Sequence, residues 1–295
     1  MIDKRLNING VEIQFHEYPH AETAIVFLHF GGGNLMMWQK VIPHFQADFH
    51  LILPDIRGHG RSSKLLPSAH IDDMAADIAG LLDQLNIQKA HIVGSSLGAE
   101  VGLSLAANYP QKVVSLVCDG ALTSEFGPYG TYQGTETEFK AFVAEQMNDI
   151  RSNPVKVFPS VAAYIAGVRP VWENNGWWNE CTEAFLSYNT FEVKPGEFVK
   201  SWQKADMEKY MEQYFYTRFE EYYRRVTCPV LMLPGEDAWN DENESAAIKK
   251  MSTVVANAKV VAVPGWVHPY GWMLQPEAMC KVVGEYIHQA QREVG

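Results

Sequence analysis

A five-residue motif, GSSLG at positions 94–98, constrains the fold of this chain most strongly. It fits the pattern G-x-S-x-G, follows the apolar run at 90–93, and precedes a segment with helical spacing. In that strand–turn–helix context a sharp turn lifts the serine hydroxyl clear of the backbone, and the two glycines relieve crowding within the turn. The motif therefore predicts that Ser96 is a nucleophile.

Short apolar runs alternate with amphipathic segments along both ends of the chain. A hairpin is predicted around Asn9-Gly10, because alternating residues flank this two-residue turn signal. Buried strands are predicted at 24–29, 50–54, 90–93, 113–118, 229–233 and 260–263. Helices are predicted at 35–45, 71–85, 97–108, 244–251 and 276–291. This alternation favours one mostly parallel sheet covered by helices on both faces.

Residues 122–226 interrupt the alternation, and strand signals are nearly absent there. Thr135 and Glu138 have capping-box spacing and predict a helix through residue 150, while an apolar stripe runs from 204 to 225. We expect this stripe to pack the segment onto the body, and Trp177 and Trp178 to line a pocket. The sequence thus predicts a core domain (1–121 and 227–295) with a helical cap (122–226) over the carboxyl edge of the sheet.

Composition restricts the partners and the compartment. A formal net charge of −11 disfavours nucleic acid, which needs a basic face, and disfavours an anionic membrane surface more weakly. The sequence has no signal-peptide pattern and no apolar run near the ~18 residues of a membrane span. The four cysteines are scattered without metal spacing, which favours reduced thiols in a cytoplasmic protein. We expect a small-molecule substrate, no cofactor and no metal; the oligomeric state is not predicted.

A nucleophilic serine needs a base and an orienting acid. His268 follows the last predicted strand, which places it at the carboxyl edge of the sheet beside Ser96 and makes it the candidate base. Asp237 is the leading candidate for the acid because it follows the strand at 229–233. Asp119, directly after the preceding strand, and Asp241 remain alternatives.

The developing negative charge on the substrate oxygen requires backbone N–H donors. Leu97 can supply one donor because it follows the nucleophile. Gly31, in the turn after the strand at 24–29, is the candidate for the second. The bulky Phe30 lies beside it and is expected to line the pocket. A phosphate-binding loop is not supported, since neither G-x-G-x-x-G nor the Walker pattern occurs here.

These motifs together resemble the α/β-hydrolase superfamily over nearly the whole chain. The residues that carry the resemblance are HFGGG at 29–33, PDIRGHGRS at 54–62, GSSLG at 94–98, GED at 235–237, His268, and QPE at 275–277. The resemblance implies an α/β fold with an eight-stranded, mostly parallel sheet, a helical cap, a Ser-His-acid triad and a covalent acyl-enzyme. Two departures are Phe30, where the family has glycine, and Asp237, which comes one residue early.

The expected function is that of a serine hydrolase for a small or medium, moderately apolar, ester-like substrate. Lactone, amide or carbon–carbon bond hydrolysis, acyl transfer and perhydrolysis remain alternatives, because they would use the same residues. Dehalogenases and epoxide hydrolases of this superfamily need a carboxylate where Ser96 stands. An alternative of another class is a ligand-binding receptor or interaction module with slow turnover.

Overall fold

A computed structural model describes the backbone of residues 1–294 and the side chains of residues 1–292. Eight of its strands form one sheet in the order β1-β2-β4-β3-β5-β6-β9-β10. The strands in chain order are β1 Ile2–Ile8, β2 Val11–Tyr18, β3 Ala24–Leu28, β4 His50–Pro54, β5 Ala90–Ser95, β6 Val113–Asp119, β7 Thr190–Lys194, β8 Glu197–Lys200, β9 Val230–Met232 and β10 Ala258–Val260. Strands β1, β2 and β4 pair antiparallel, and the pairings from β4 to β10 are parallel. The prediction of a mostly parallel sheet is confirmed.

Helices cover both faces of this sheet. In chain order they are α1 Ile42–Phe45, α2 Ile71–Gln84, α3 Leu97–Asn108, α4 Glu136–Ser152, α5 Val161–Asn174, α6 Glu180–Tyr188, α7 Lys204–Tyr214, α8 Phe219–Tyr223, α9 Glu236–Asn240, α10 Glu242–Ser252, α11 Gly271–Leu274 and α12 Pro276–Val294. Short 3₁₀ helices span Leu35–Trp38 and Pro110–Lys112. The predicted helix over 35–45 is therefore two short pieces, the first of them 3₁₀.

Two hydrophobic cores lie on opposite faces of the sheet, because neighbouring residues of a strand point to opposite sides. In β3, Val26 belongs to the core beneath α2, α3 and α10, whereas Phe27 belongs to the core beneath α1, α11 and α12. Both side chains are fully buried. The near-continuous apolar runs of the sequence follow from this two-sided burial.

The amino-terminal hairpin is confirmed. Asn9 and Gly10 connect β1 to β2 with φ angles of 52° and 82°, and Ile8 pairs with Val11 across the turn. Positive φ at both turn positions is what a two-residue hairpin with the right-handed strand twist requires, and Asn-Gly tolerates it best.

The segment between β6 and β9 contains helices α4 to α8. The capping box of Thr135 and Glu138 is present and opens α4, as predicted. The stripe over 204–225 forms two helices rather than one, and its residues Tyr210, Phe219 and Tyr223 are buried in the α3-side core. The stripe therefore packs this segment onto the body.

The same segment also contains a two-stranded hairpin, β7–β8, that the sequence analysis did not predict. The signal was present, because Phe191 and Val193 alternate with polar residues before a Pro195-Gly196 turn. Gly196 adopts a φ of 75°, which a side chain would make costly. Residues 122–226 thus combine helices with one small hairpin.

The residues that the structure describes were compared with the features of membrane spans, disulfides and metal sites. None of their helices combines the length and apolarity needed to cross a membrane. All four cysteines are free thiols. Within residues 1–292 no three His, Cys, Asp or Glu side chains converge as metal ligands would.

Candidate active site

Ser96 lies at the sharp turn between β5 and α3, with φ of 50° and ψ of −120°. A non-glycine residue at positive φ is strained, and such strain persists where the surrounding structure enforces it. Both flanking glycines are required sterically. A Cβ at Gly94 would lie 2.3 Å from the carbonyl oxygen of Gly98, and a Cβ at Gly98 would lie 2.1 Å from that of Leu28.

His268 lies in the loop between β10 and α11, and its Nδ1 is 2.7 Å from Oδ1 of Asp119. Asp119 is the last residue of β6 and is fully buried. The backbone N–H of Ser96 donates to the carbonyl oxygen of Asp119 at 2.6 Å, which ties the serine turn to the carboxylate strand. Ser96 and His268 line the same cavity.

The prediction that Asp237 partners His268 is wrong in this structure. Asp237 lies in α9 and is exposed, while Asp241 caps α10 by accepting from the Glu244 N–H at 2.8 Å. The two carboxylates differ in burial and position. Asp119 ends β6 beside the serine turn, paired with Ser95, and its buried carboxylate meets the imidazole, whereas the side chain of Asp237 is exposed.

Three donors besides His268 hold the Asp119 carboxylate. The Ser95 hydroxyl donates to Oδ2 at 2.8 Å, the Trp272 indole N–H donates to Oδ2 at 2.7 Å, and the Trp266 indole N–H lies 3.2 Å from Oδ1. Burial by itself raises the pKa of Asp119, but the His268 charge and these hydrogen bonds outweigh burial and hold the pKa below its usual range. None of these three donors was predicted from the sequence, since no local signal links them to residue 119.

The carboxylate acts in turn on the imidazole. Burial lowers the pKa of His268, but the Asp119 charge and hydrogen bond outweigh burial and raise the pKa above its ordinary value. A carboxylate at Nδ1 orients the ring and leaves Nε2 available as a proton acceptor. Such a ring can take a proton from a nearby hydroxyl and return it to a leaving group.

The candidate oxyanion donors lie next to each other. A Cβ at Gly31 would lie 3.7 Å from Cβ of Leu97, so the turn after β3 faces the start of α3. Leu97 is the first residue of α3, where backbone N–H groups lack intrahelical acceptors. His29 braces the turn, because its Nδ1 contacts the carbonyl oxygen of Phe30 at 2.9 Å and its Nε2 accepts from the Ile56 N–H.

A side chain of the 122–226 segment also covers this turn. Trp202, between β8 and α7, lies so close that a Cβ at Gly31 would be 3.3 Å from its Cη2, and a Cβ at Gly32 would be 3.0 Å from its Cε3. The glycines of the turn therefore admit the indole ring. No sequence signal distinguishes Trp202 from the other three tryptophans of residues 122–226.

Two cavities flank the site. The smaller, about 420 Å³, contains Ser96 and His268 and is acidic; no lysine or arginine within residues 1–292 lines it. Its carboxyl side chains are those of Glu100, Glu125, Glu236, Asp237 and Glu244. The larger, about 700 Å³, begins at the glycine turn and is mostly apolar and aromatic. Its lining includes Phe30, Gly31, Gly32, Tyr164, Val168, Trp172, Phe185, Trp202 and Tyr270, with Lys156, Lys200 and Lys204 toward solvent.

Glu100 is the most deeply buried of these carboxyl groups. Burial raises its pKa to about 8, although the Tyr210 hydroxyl donates to it at 2.8 Å. The Tyr214 hydroxyl donates to Glu125 at 2.5 Å on the same side of the cavity. Glu100 is thus largely protonated at neutral pH and becomes charged as the pH rises through about 8.

The predicted pocket residues separate into two groups. Phe30 lines the larger cavity, whereas Trp177 and Trp178 line neither of the two cavities in the part of the chain described here. Trp177 packs behind the wall against Tyr270, with ring centroids 4.9 Å apart, and Trp178 lies under the Arg169 guanidinium. The tandem tryptophans therefore pack against neighbouring side chains behind the cavity wall, and the prediction that they line a pocket is corrected.

Comparison with known proteins supports what the geometry indicates. The α/β-hydrolase fold family model matches residues 23–268. The 2-(acetamidomethylene)succinate hydrolase of Mesorhizobium japonicum is 28% identical over 286 residues, which cover 97% of this chain and 95% of that protein. A crystal structure of E-2-(acetamidomethylene)succinate hydrolase superposes with a TM-score of 0.76 at 26% identity, covering 97% of this chain and 99% of the other.

Other relatives match over shorter spans. The 3-oxoadipate enol-lactonase 2 of Acinetobacter baylyi is 35% identical over 108 residues, which are 36% of this chain and 40% of that protein. Several curated relatives match over only 25% to 42% of their own length. The family match, in contrast, spans both segments of the sheet and the serine, aspartate and histidine described above. The chain belongs to the α/β-hydrolase fold family.

Proposed function

We propose that this protein is a hydrolase that cleaves a carboxylic acid derivative through an acyl-enzyme on Ser96. The observation that carries the proposal is a serine at a strained strand–helix turn that shares one cavity with a histidine held by the buried Asp119. A free serine hydroxyl is a poor nucleophile, and this arrangement supplies both the base and the group that orients it.

In the proposed mechanism, the Ser96 hydroxyl attacks the substrate carbonyl carbon while Nε2 of His268 takes its proton. The carbonyl oxygen becomes an oxyanion and accepts hydrogen bonds from the N–H groups of Leu97 and Gly31. The C–X bond then breaks, and His268 returns the proton to the leaving group. Water attacks the acyl-enzyme by the same steps and releases the acid.

Asp119 supports both half-reactions without itself becoming protonated. It orients the imidazole through Nδ1 and stabilises the imidazolium that forms during each attack. The donors from Ser95, Trp266 and Trp272 keep the carboxylate charged in a buried position. We propose Asp119, and not Asp237, as the acid of the triad.

An ester of a moderately apolar acid is the first candidate substrate, since the apolar cavity opens at the candidate oxyanion turn. Cleavage of an amide C–N bond is the second candidate. It is favoured by the relative that matches over nearly the full length, which is named as a hydrolase of an acetamido compound.

The test is labelling with a fluorophosphonate probe, followed by peptide mapping. We expect a covalent adduct on Ser96, no adduct in Ser96→Ala, and an unchanged adduct in Ser252→Ala, a serine at the end of α10. Hydrolysis of matched p-nitrophenyl acetate, p-nitroacetanilide and a γ-lactone then ranks ester, amide and lactone. Ligand binding without turnover in wild type, or labelling that persists in Ser96→Ala, contradicts the proposal.

A further inference from the structure

The position of His268 determines on which side of the reacting carbon the leaving group lies. In the tetrahedral intermediate, the carbon carries the serine oxygen, the oxyanion, the leaving group and the acyl chain. His268 delivers a proton to the leaving group, so that group must lie within hydrogen-bond reach of its imidazole. Since His268 lines the acidic cavity, the leaving group belongs there.

The acyl chain must then point away from His268. The larger cavity begins at Gly31 and Gly32, the turn proposed to hold the oxyanion, and it extends under the cap between aromatic side chains. Its volume of about 700 Å³ lies within the range of about 300–1,000 Å³ that small-molecule sites have. It is therefore large enough for a medium-length acyl group.

Trp202 forms part of the partition between the two cavities. Its ring stacks on the ring of His59, with centroids 4.9 Å apart at 28°, and packs against Tyr210 at 5.9 Å. Tyr210 in turn donates to Glu100, which lines the acidic cavity. The series Trp202–Tyr210–Glu100 thus runs from the wall of one cavity to the wall of the other.

We propose that the larger cavity binds the acyl group and that Trp202 limits the bulk accepted next to the carbonyl carbon. The inference rests on the proposed function, because it assumes an acyl-serine at Ser96. Trp202 acts at this point since its indole lies against Gly31 and Gly32, where the first acyl carbons would pass. Val168 on α5 lines the same cavity, and its size should affect the accepted chain length.

The test compares p-nitrophenyl esters that share one leaving group and differ in the acyl group. For wild type we expect kcat/KM to rise by up to roughly fourfold per added methylene until the cavity is full. Val168→Trp should lower the octanoate-to-acetate ratio of kcat/KM by at least about tenfold, because the larger side chain removes about three methylenes of cavity.

Esters whose acyl group is branched next to the carbonyl carbon test the role of Trp202 separately. Trp202→Ala should raise the ratio of kcat/KM for the branched pivalate ester to that for acetate by about tenfold, with Trp202→Phe between Trp202→Ala and wild type. Trp178→Ala is the matched control, since that tryptophan packs on Arg169 outside both cavities, and it should leave both ratios within twofold of wild type. Circular dichroism and thermal unfolding confirm that each variant is folded.

The outcomes separate the two proposals. Ratios in Val168→Trp and Trp202→Ala that match wild type, with turnover that still depends on Ser96, overturn this inference and leave the proposed function standing. The inference is also overturned if Val168→Trp changes the dependence of kcat/KM on the size of the alcohol and not on the size of the acyl group. In that case the larger cavity would bind the leaving group. Absence of Ser96-dependent turnover on every ester overturns both.

Discussion

Nδ1 of His268 contacts Oδ1 of Asp119 at 2.7 Å across a sequence separation of 149 residues. Asp119 ends β6, which pairs with β5, so the carboxylate that holds the histidine lies next to the serine turn. The loop after β9 reaches the same cavity, but its Asp237 is solvent-exposed. The buried carboxylate at the end of β6, and not the exposed one after β9, therefore meets the histidine.

Asp119→Asn should lower kcat by about 10³- to 10⁴-fold, because an amide at Nδ1 favours the wrong imidazole tautomer and cannot stabilise the imidazolium. Asp237→Asn is the matched control and should lose less than about tenfold. Steady-state kinetics on one activated ester measures both variants. A larger loss in Asp237→Asn than in Asp119→Asn would contradict the assignment of the acid.

The acid limb of the pH profile should lie above the ~6.5 of an unperturbed imidazole. Catalysis needs neutral His268, and the Asp119 carboxylate raises the pKa of that ring despite its burial, so kcat/KM falls as the pH drops through this raised value. Asp119→Asn should move the limb to lower pH, since the charge that raises the pKa is removed. A limb at or below 6 in wild type would show that the ion pair does not control the base.

The charge of the leaving group should affect the rate, because carboxyl groups line the cavity assigned to it. We expect choline esters to exceed their uncharged 3,3-dimethylbutyl isosteres about three- to tenfold in kcat/KM, with the difference shrinking in high salt. It should grow as the pH rises through about 8, where Glu100 ionises.

Glu244→Gln tests the source of this charge effect, since Glu244 lines the acidic cavity. The variant should reduce the choline preference, and Glu285→Gln, on the exposed side of α12, is the control that should keep it. A wild-type preference for the uncharged isostere at low salt would show that the acidic lining does not face the leaving group.

Two glycine-to-alanine substitutions should have opposite effects on stability. Gly98→Ala places a Cβ 2.1 Å from the carbonyl oxygen of Leu28, so the serine turn must shift, and both the unfolding temperature and the activity should fall. Gly167→Ala meets nothing within 4 Å on the exposed face of α5 and should stabilise the protein by up to about 1 kcal/mol. Thermal unfolding measures both; a stabilised, fully active Gly98→Ala would contradict the packing described for the turn.

Local sequence was sufficient wherever a few consecutive residues set the backbone. The Asn9-Gly10 hairpin, the α4 capping box and the strand–turn–helix at Ser96 were all predicted, because turn and cap chemistry depends on near neighbours. The position of His268 after the last strands was also predicted, since the carboxyl ends of parallel strands share one edge.

Contacts between distant segments were decided by the tertiary structure. The choice of Asp119 over Asp237 depends on which carboxylate the His268 loop meets in the folded chain, and the donors from Trp266 and Trp272 arrive from a loop and a helix that follow β10. The placement of Trp202 over the glycine turn likewise depends on how the 122–226 segment packs onto the rest of the chain. Periodicity and motif spacing report which face of an element is buried, but they carry no information on its neighbour, and the neighbour here determines the acid and the walls of both cavities.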